Sequence, residues 1–311
     1  MTSYVVRRVL WTAPVVVSIT LVTFVLMHSV PGGPWDSSRP LSPQLREQLQ
    51  AKYGLGEPLW RQFLTYSWNA LHGDLGVSLQ YQDRAVATVI RNGLEVSAIL
   101  AALAFAVALV FGVGLGVLAA TQHGKPIDRL LTGLTVGLGA APSFVLGILL
   151  VVVFAVKLGW LPAIGWERSL WLFPEWRQAV LPVVTLAALP AAYLARITRA
   201  AVLDVLQQDY VRTAHAKGLR RWTIVTRHVL PNALVPVLSV AGPIAASLVT
   251  GSFIVETIFA IPGLGHQFVT SVFQRDYGMI MGLTIFYALV VTAANLAVDL
   301  LYAVVDPRIR Y

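Results

Sequence analysis

The sequence predicts an all-α membrane protein with six transmembrane helices. Three observations lead to this fold class. Only 12% of the 311 residues are charged and the mean hydropathy is +0.70, whereas soluble domains carry about 25% charged residues. Six stretches are long and apolar enough to cross a hydrocarbon core of about 30 Å. The excess positive charge of the chain also falls on one side of the membrane that these six stretches imply.

The first stretch runs from Val9 to Val30 and follows the basic pair Arg7 and Arg8. At about 1.5 Å per residue it is roughly 33 Å long, which is enough to cross a bilayer. A signal peptide would have a shorter apolar region and a cleavage site with small residues. We therefore expect residues 1–30 to form an N-terminal segment and a retained first helix, with its amino end in the cytoplasm.

Residues 31–93 differ from the stretches on either side. They contain several charges and the run Pro31-Gly32-Gly33-Pro34, so they are too polar to span, yet they are too apolar for a simple linker. We expect a small extracytoplasmic cap with a helix over Pro43–Tyr53; an unstructured loop is the alternative. His72 and Asp74 lie close together there, but two ligands are too few for a metal site.

Residues 94–311 are expected to hold the other five helices, in a core of their own. The second to sixth spans are predicted over Val96–Thr121, Leu130–Val156, Ala179–Ala195, Asn232–Val255 and Met279–Val305. Two glycine pairs with a spacing of four, Gly112 with Gly116 and Gly133 with Gly137, lie in the second and third spans. Small residues at this spacing let helices approach closely, so they predict helix packing.

The distribution of charge fixes the expected topology. With both termini inside, the cytoplasmic segments carry thirteen of the 23 basic residues and five of the 15 acidic residues, hence a net charge of +8. The outer segments carry ten of each and are neutral. This asymmetry is the one that membrane proteins show. The positive charge therefore serves orientation, and it does not indicate binding to nucleic acid.

The sequence lacks the residues that several classes of function require. No charged residue lies deep in a predicted span, where carriers use one for ion coupling. No carboxylate pair, Ser–His–Asp set or His-Glu-x-x-His motif supports catalysis. The one Gly-Lys pair, Gly124-Lys125, precedes Pro126 and does not form a phosphate-binding loop. Without cysteine there are no disulfides or thiolate metal sites. We expect no enzyme, metal or cofactor here, so another polypeptide would have to energise any uphill transport.

A basic, polar interval, Arg196–Pro231, joins the fourth and fifth spans. A helix is predicted from Val202, with a glycine stop at Gly218 and a second helix over Arg220–His228. The first helix is predicted from apolar residues at helical spacing, namely Val202, Leu203, Leu206, Tyr210 and Ala214. A basic loop resting on anionic lipid is one interpretation. The other is a surface on the inner face of the membrane that receives a push from another protein.

Part of this interval carries a specific resemblance. Asp209–Leu219 reads Asp-Tyr-Val-Arg-Thr-Ala-His-Ala-Lys-Gly-Leu. It resembles the cytoplasmic loop of ABC-importer permeases in the variant typical of the dipeptide, oligopeptide and nickel branch. The general Glu-Ala-Ala form of that loop is matched at Ala214, Gly218 and Leu230-Pro231. It is not matched at three positions, which are Arg212, Thr213 and His228.

The resemblance extends over nearly the whole chain. Further matching segments occur in the order typical of the family: Pro31-Gly32-Gly33-Pro34 (more often Pro-Gly-Asp-Pro), Tyr53-Gly54-Leu55, His72-Gly73-Asp74-Leu75-Gly76, Pro142-Ser143-Phe144, Leu158-Gly159-Trp160-Leu161-Pro162, Val255-Glu256-Thr257-Ile258-Phe259, Pro262-Gly263-Leu264-Gly265 and Asp306-Pro307-Arg308. The long segment after the first span is similar to the B-type permease subunit of the dipeptide, oligopeptide and nickel importers. The family fold thus places a cap between helices 1 and 2 and a coupling loop, residues 196–231, between helices 4 and 5.

The resemblance implies partners and a location in the bacterial inner membrane. A second, similar permease would complete the path as a heterodimer, two cytoplasmic ATPases would hold ATP and Mg²⁺, and an extracytoplasmic binding protein would deliver the substrate. Contact with the ATPases would fall on Asp209, Tyr210, Arg212, Thr213, Ala214, His215, Ala216, Lys217, Gly218 and Leu219. Contact with the binding protein would fall on Glu256, Pro262, Gly263, Leu264 and Gly265.

Alternatives remain at this stage. The resemblance favours import of di- or oligopeptides, but nickel chelates or other small solutes pass through related permeases. A stand-alone channel or ion-coupled carrier and a non-transporting scaffold are hypotheses of other classes. The sequence indicates no residues that bind the substrate.

Overall fold

The structure, a computed structural model, describes residues 2–34, 44, 47–48, 50, 53–81, 84–167, 175–250 and 252–305. In these ranges the chain is helical, with an isolated antiparallel bridge between Val77 and Ala85. The helix predicted over Pro43–Tyr53 lies mostly outside the described residues. The expected all-helical fold is confirmed for the part of the chain that is described.

Twelve helices have their bounds within the described ranges, and residues 44, 47–48 and 50 are helical as well. The twelve are α1 (Thr2–Ser29), α2 (Leu59–Leu71), α3 (Val86–Thr121), α4 (Pro126–Ala140), α5 (Ser143–Leu150), α6 (Trp176–Leu206), α7 (Asp209–Ala216), α8 (Arg221–Ile224), α9 (Leu230–Thr250), α10 (Phe253–Ile258), α11 (Leu264–Gln274) and α12 (Tyr277–Val305). Two of them continue as π-helices, α5 over Val151–Lys157 and α8 over Val225–Val229.

The chain divides into two compact units. The first comprises Met1–Ser97 and Pro262–Leu296 together with Tyr311, and the second comprises Ala98–Ile261 and Ala297–Arg310. The first unit holds the described part of the predicted cap. The second holds the predicted coupling loop.

Five helical stretches in the described residues are long and apolar enough to cross a membrane. They are Leu10–Ser29, Val86–Thr121, Trp176–Leu206, Arg221–Ile258 and Tyr277–Ala297. A sixth span exists only if α4 and the helix Ser143–Lys157, which meet at 107°, count as one. The predicted count of six is therefore reached only with a broken third span.

The third span predicted over Leu130–Val156 is not one continuous helix. Ala141 has an extended backbone, with φ −80° and ψ 127°, and Pro142 follows it. The proline ring disfavours the α conformation of the preceding residue, so the helix ends there and a new one begins at Ser143. Apolarity predicted the extent of this stretch but not its direction.

Other boundaries also differ from the sequence prediction. α3 begins at Val86 rather than near Val96, and α6 covers Trp176–Leu206 rather than Ala179–Ala195. Both spans extend as helices into polar sequence, where hydropathy cannot detect them. In the cap region, α2 was not predicted at all. These differences lengthen the helices and leave their order unchanged.

Close packing at the first glycine pair is confirmed in the second unit. A Cβ built on Gly112 would lie 2.8 Å from the carbonyl oxygen of Ala191, and one on Gly116 would lie 2.6 Å from that of Ala195. Both contacts are too short for any side chain, so α3 and α6 touch through their backbones. For the pair Gly133 and Gly137, no described atom lies within 4 Å of such a Cβ. Spacing alone therefore did not distinguish the packed pair from the open one.

Candidate functional site

The predicted coupling segment folds as two short helices around a glycine turn. We call residues 209–222 the elbow; it contains α7, Gly218 and the start of α8. The single helix predicted from Val202 is wrong, because α6 ends at Leu206 and Gln208 is extended, with φ −70° and ψ 148°. Asp209 then opens α7, where an acidic residue is favoured by the helix dipole.

The glycine stop is confirmed. Gly218 has φ +70°, in the left-handed region. Its N–H donates to the carbonyl of His215 at 2.9 Å, and the N–H of Leu219 donates to that of Ala214 at 3.4 Å. This pair of bonds is the Schellman motif, which satisfies carbonyls at a helix end and favours glycine. The turn redirects the chain from α7 into α8.

The inner face of α7 is packed against the rest of the second unit. Val211 and Ala214 are buried, although the periodicity of the sequence placed Tyr210 on this face. They belong to a cluster contributed by α3, α6, α7, α8 and its π-helical continuation, and α9, which contains Ala120, Ala201, Val202, Val211, Ala214, Ile224, Val229 and Ala233. α7 is therefore attached to several spans at once through a buried apolar contact.

The outer face of α7 is open. Nine of the ten residues predicted to contact the ATPases are exposed, and Ala214 alone of the ten is buried: the exposed ones are Asp209, Tyr210, Arg212, Thr213, His215, Ala216, Lys217, Gly218 and Leu219. The amide of Asn232 donates to the Tyr210 hydroxyl at 2.9 Å, which ties the exposed ring to the start of α9. The structure thus gathers the predicted residues on one polar surface.

The sequence prediction missed the next part of this surface. Arg221 donates to the carbonyl of Thr121 at the C-terminal end of α3, a position where basic side chains satisfy orphan carbonyls. Trp222 is 75% exposed. The available signal was an aromatic residue directly after Arg220 and Arg221 in a polar loop, since tryptophan and arginine are both enriched in interfaces.

An ion pair between buried Asp128 and half-buried Arg199 braces the helices that lead to the elbow. Arg199 on α6 contacts Asp128 on α4 at both carboxylate oxygens, Nε to Oδ1 at 2.7 Å and Nη2 to Oδ2 at 2.9 Å. The N–H of Gly124 donates to Oδ2 at 3.0 Å. Asp128 is buried. Two parallel, charge-assisted bonds of this kind fix geometry as well as stabilise it.

Four of the five residues predicted to contact a binding protein are buried. Glu256 lies on α10 in the second unit with no exposed surface, and its carboxylate accepts a hydrogen bond from Ser252 at 2.5 Å. Pro262 belongs to the first unit and is exposed. The three residues after it, Gly263, Leu264 and Gly265, are buried. Pro262 is therefore the one of the five whose side chain reaches the surface in this conformation.

No group of three His, Cys, Asp or Glu side chains in the described ranges is arranged to hold a metal ion.

Two solved structures share this fold. An inward-facing MetNI methionine ABC transporter matches 71% of this chain and 97% of its own, with a TM-score of 0.57 at 20% identity. An amino acid ABC transporter matches 69% of this chain and 93% of its own, with a TM-score of 0.53 at 19% identity. At this level of identity the likeness shows that the chain shares the fold of these two transporter structures.

The sequence comparisons define the class of protein. Residues 112–311 match the family described as binding-protein-dependent transport system inner membrane component. The chain belongs to this family, and it is a permease component of a binding-protein-dependent ABC importer of the inner membrane. The resemblance read from the motifs is confirmed.

The relatives are similar over their full lengths. The oligopeptide transport system permease protein OppB of Escherichia coli K12 is 39% identical over 311 residues, all of both chains. The dipeptide transport system permease protein DppB of Bacillus subtilis is 39% identical over 310 residues, which are 100% of this chain and 98% of the relative. The oligopeptide permease protein AppB of the same organism is 39% identical over 317 residues.

Proposed function

We propose that this chain forms half of a path for di- or oligopeptides and is driven through its elbow by cytoplasmic ATPases. A second, similar permease completes the path as a heterodimer, and an external binding protein delivers the substrate. The observation that carries the proposal is the full-length identity of 39% to peptide permeases, in a chain whose elbow has one packed and one exposed face. In this proposal both termini and the elbow face the cytoplasm, which agrees with the positive-inside bias of membrane proteins.

The two faces of α7 explain how a push would be transmitted. A partner ATPase contacts the polar outer face, and ATP bound with Mg²⁺ in that partner supplies the energy. The inner face moves with the contact because Val211 and Ala214 are packed into the cluster shared with the spans. Close-packed interiors transmit displacement instead of absorbing it. The elbow would thus transmit the motion of the ATPase to the helices that form the path.

The Asp128–Arg199 pair joins α6, which leads to the elbow, to α4 of the broken third span. Arg199 lies on α6, the helix that ends just before the elbow, and Asp128 lies in the first turn of α4. Displacement of the inner end of α6 is therefore passed to α4 through two short hydrogen bonds. On the outer side, the cap and the exposed Pro262 would meet the binding protein, while buried Glu256 would hold its own loop in shape.

The elbow assignment is tested by a substitution at the glycine turn. In vesicles that contain the complete importer, Gly218→Asp should insert normally but lower peptide uptake per ATP hydrolysed by about tenfold or more. The reason is that a side chain at φ +70° distorts the turn and a new carboxylate changes the contact surface. Labelled tripeptide, a nickel chelate and ATP hydrolysis are measured in parallel, so that the substrate class is tested as well.

Gly159→Asp is the matched control. Gly159 also has a positive φ, +62°, and no described atom lies within 4 Å of a Cβ placed there. It should retain coupled uptake because it lies outside the elbow. Undiminished coupling in the Gly218 variant, at normal protein level, would contradict the assignment of the elbow.

A further inference from the structure

A long apolar groove lies in the second unit, between one face of α3 and the facing side of α8 and α9. Its volume is about 880 Å³. Val110, Val113, Gly114 and Val117 line it from α3, and Leu234 and Leu238 line it from α9. Both sides belong to helical stretches that are long and apolar enough to cross a membrane. The groove is thus an apolar surface in the part of the protein whose solvent is lipid.

The length of the groove matches one leaflet. Its lining on α3 runs from Leu109 to Gln122, which is about 20 Å of helix at 1.5 Å per residue. Half of a hydrocarbon core is about 15 Å thick. The groove therefore extends from an interface to about the middle of the bilayer, which is the depth that an acyl chain occupies.

One end of the groove is polar and basic. Gln122, Arg221 and Trp222 lie there, after lining residues that are otherwise mostly Val and Leu. Arg221 uses one N–H for the carbonyl of Thr121, and a guanidinium has five. Exposed tryptophan is typical of the headgroup level. This end offers an aromatic ring and a cation at the depth where lipid phosphates lie.

We propose that the groove binds an anionic phospholipid, with one acyl chain along α3 and α9 and the phosphate at Arg221. The basic end of the groove decides between this occupant and an apolar helix of another chain. Arg221 lines that end and has N–H groups beyond the one that it donates to Thr121, and a phosphate accepts hydrogen bonds from them whereas an apolar helix does not. Basic pockets between spans favour anionic headgroups.

The lipid site would adjoin the elbow. Arg221 follows Gly218 by three residues, and the π-helix after α8 contributes Val225 to the groove and Val229 to the cluster that holds α7. A bound headgroup therefore stabilises the position of α8 relative to α3. Anionic lipid would therefore affect how the elbow transmits motion, whatever solute the path carries.

The charge requirement is tested by native mass spectrometry of the full-length chain released from detergent. Phosphatidylglycerol and phosphatidylcholine with identical acyl chains are titrated separately. We expect one phosphatidylglycerol to be retained at least tenfold more tightly than phosphatidylcholine. Arg221→Gln should weaken its retention about tenfold, since it removes a charged hydrogen-bond donor, and Arg221→Lys should restore most of it. Arg220→Gln, which removes an adjacent exposed charge outside the groove lining, should change retention less than twofold.

The groove itself is tested by filling it. A Cβ placed on Gly114 or on Gly133 meets no neighbouring atom within 4 Å, so the two positions are matched for a leucine substitution. Gly114→Leu places a side chain in the groove and should abolish retention, whereas Gly133→Leu lies outside it and should have no effect. Equal retention of the two lipids, or equal effects of the two arginine or the two glycine variants, would overturn the proposal. So would a Gly114→Leu chain that retains lipid but no longer assembles with a second permease.

Discussion

Two aspartate–arginine pairs in the second unit have the same charged groups and differ in their surroundings. Asp128 and Arg199 contact each other at 2.7 Å, and their side chains are 5% and 27% exposed. Asp209 and Arg212 lie at 3.4 Å, and their side chains are 94% and 74% exposed. The first pair joins residues 71 positions apart, whereas the second joins residues within one helical turn.

The comparison distinguishes the pair that stabilises the fold, Asp128–Arg199, from the pair on a surface that a partner can contact, Asp209–Arg212. Removing one member of a buried pair leaves an uncompensated charge and costs several kcal/mol. An exposed pair is worth at most about 1 kcal/mol, because water solvates both groups almost as well. The buried pair is therefore part of the frame, and the exposed pair is free to exchange its contact for one with another protein.

The largest expected effect is at the brace. Asp128→Asn should lower the free energy of unfolding by about 2–3 kcal/mol, because half-buried Arg199 then loses its charged partner and two charge-assisted hydrogen bonds. Denaturant titration in detergent micelles measures this effect. Asp209→Asn removes the same charge from the exposed pair and should change stability by no more than about 0.5 kcal/mol. Similar losses in the two variants would show that the buried pair does not brace the fold.

The next effect contrasts the two faces of α7. Ala214→Leu should destabilise the protein by about 1–3 kcal/mol, because added methyl groups do not fit the packed cluster. It should also lower uptake per ATP hydrolysed, since α7 is displaced from its contact with the ATPase. Ala216→Leu makes the same change on the exposed face of the helix and should leave stability nearly unchanged. Stability that is equal in the two variants would contradict the packed inner face.

Much of the fold could be predicted from the sequence because lipid imposes simple rules. Apolar length and the charge asymmetry predicted the spans and their order, and Gly218 predicted the end of a helix. The bend at Ala141–Pro142 was missed although its cause is local, because the apolar stretch continues across it. The brace could not be predicted, since nothing in the sequence near Asp128 or Arg199 indicates that they meet.

The elbow shows the same limit at finer scale. Helical periodicity assigned Tyr210 to the packed face, but the break before Asp209 rotates that face to Val211. An apolar pattern interrupted by a turn has two registers, and only tertiary packing selects between them. The family motif predicted which residues lie together on the surface. It did not predict that Ala214 faces inward or that Trp222 extends the exposed surface.

A smaller effect is expected at the glycine turn. Gly218→Ala should destabilise by about 1 kcal/mol, since an L-residue at φ +70° is strained even where space is open. Gly133→Ala lies in the middle of α4 with equally open surroundings, and it should stabilise by about 0.5–1 kcal/mol because alanine favours the helix. Thermal unfolding of both variants measures the sign of each change in stability. A stabilising Gly218→Ala would contradict the left-handed turn.

The smallest effect on stability, and the most informative for function, is expected at the exposed pair. Arg212→Glu should change the free energy of unfolding by no more than about 0.5 kcal/mol, because Asp209 and its neighbours are solvated. In the assembled importer the same change should weaken ATPase association several-fold, since a charge on the contact face is reversed. Pull-down of the ATPases at two salt concentrations measures this, with Arg227→Glu, an exposed basic residue outside the elbow, as the control. If both variants bound the ATPases as tightly as the unchanged chain, the exposed face of α7 would not be the contact. The packed inner face would then have to receive its displacement from elsewhere in the second unit.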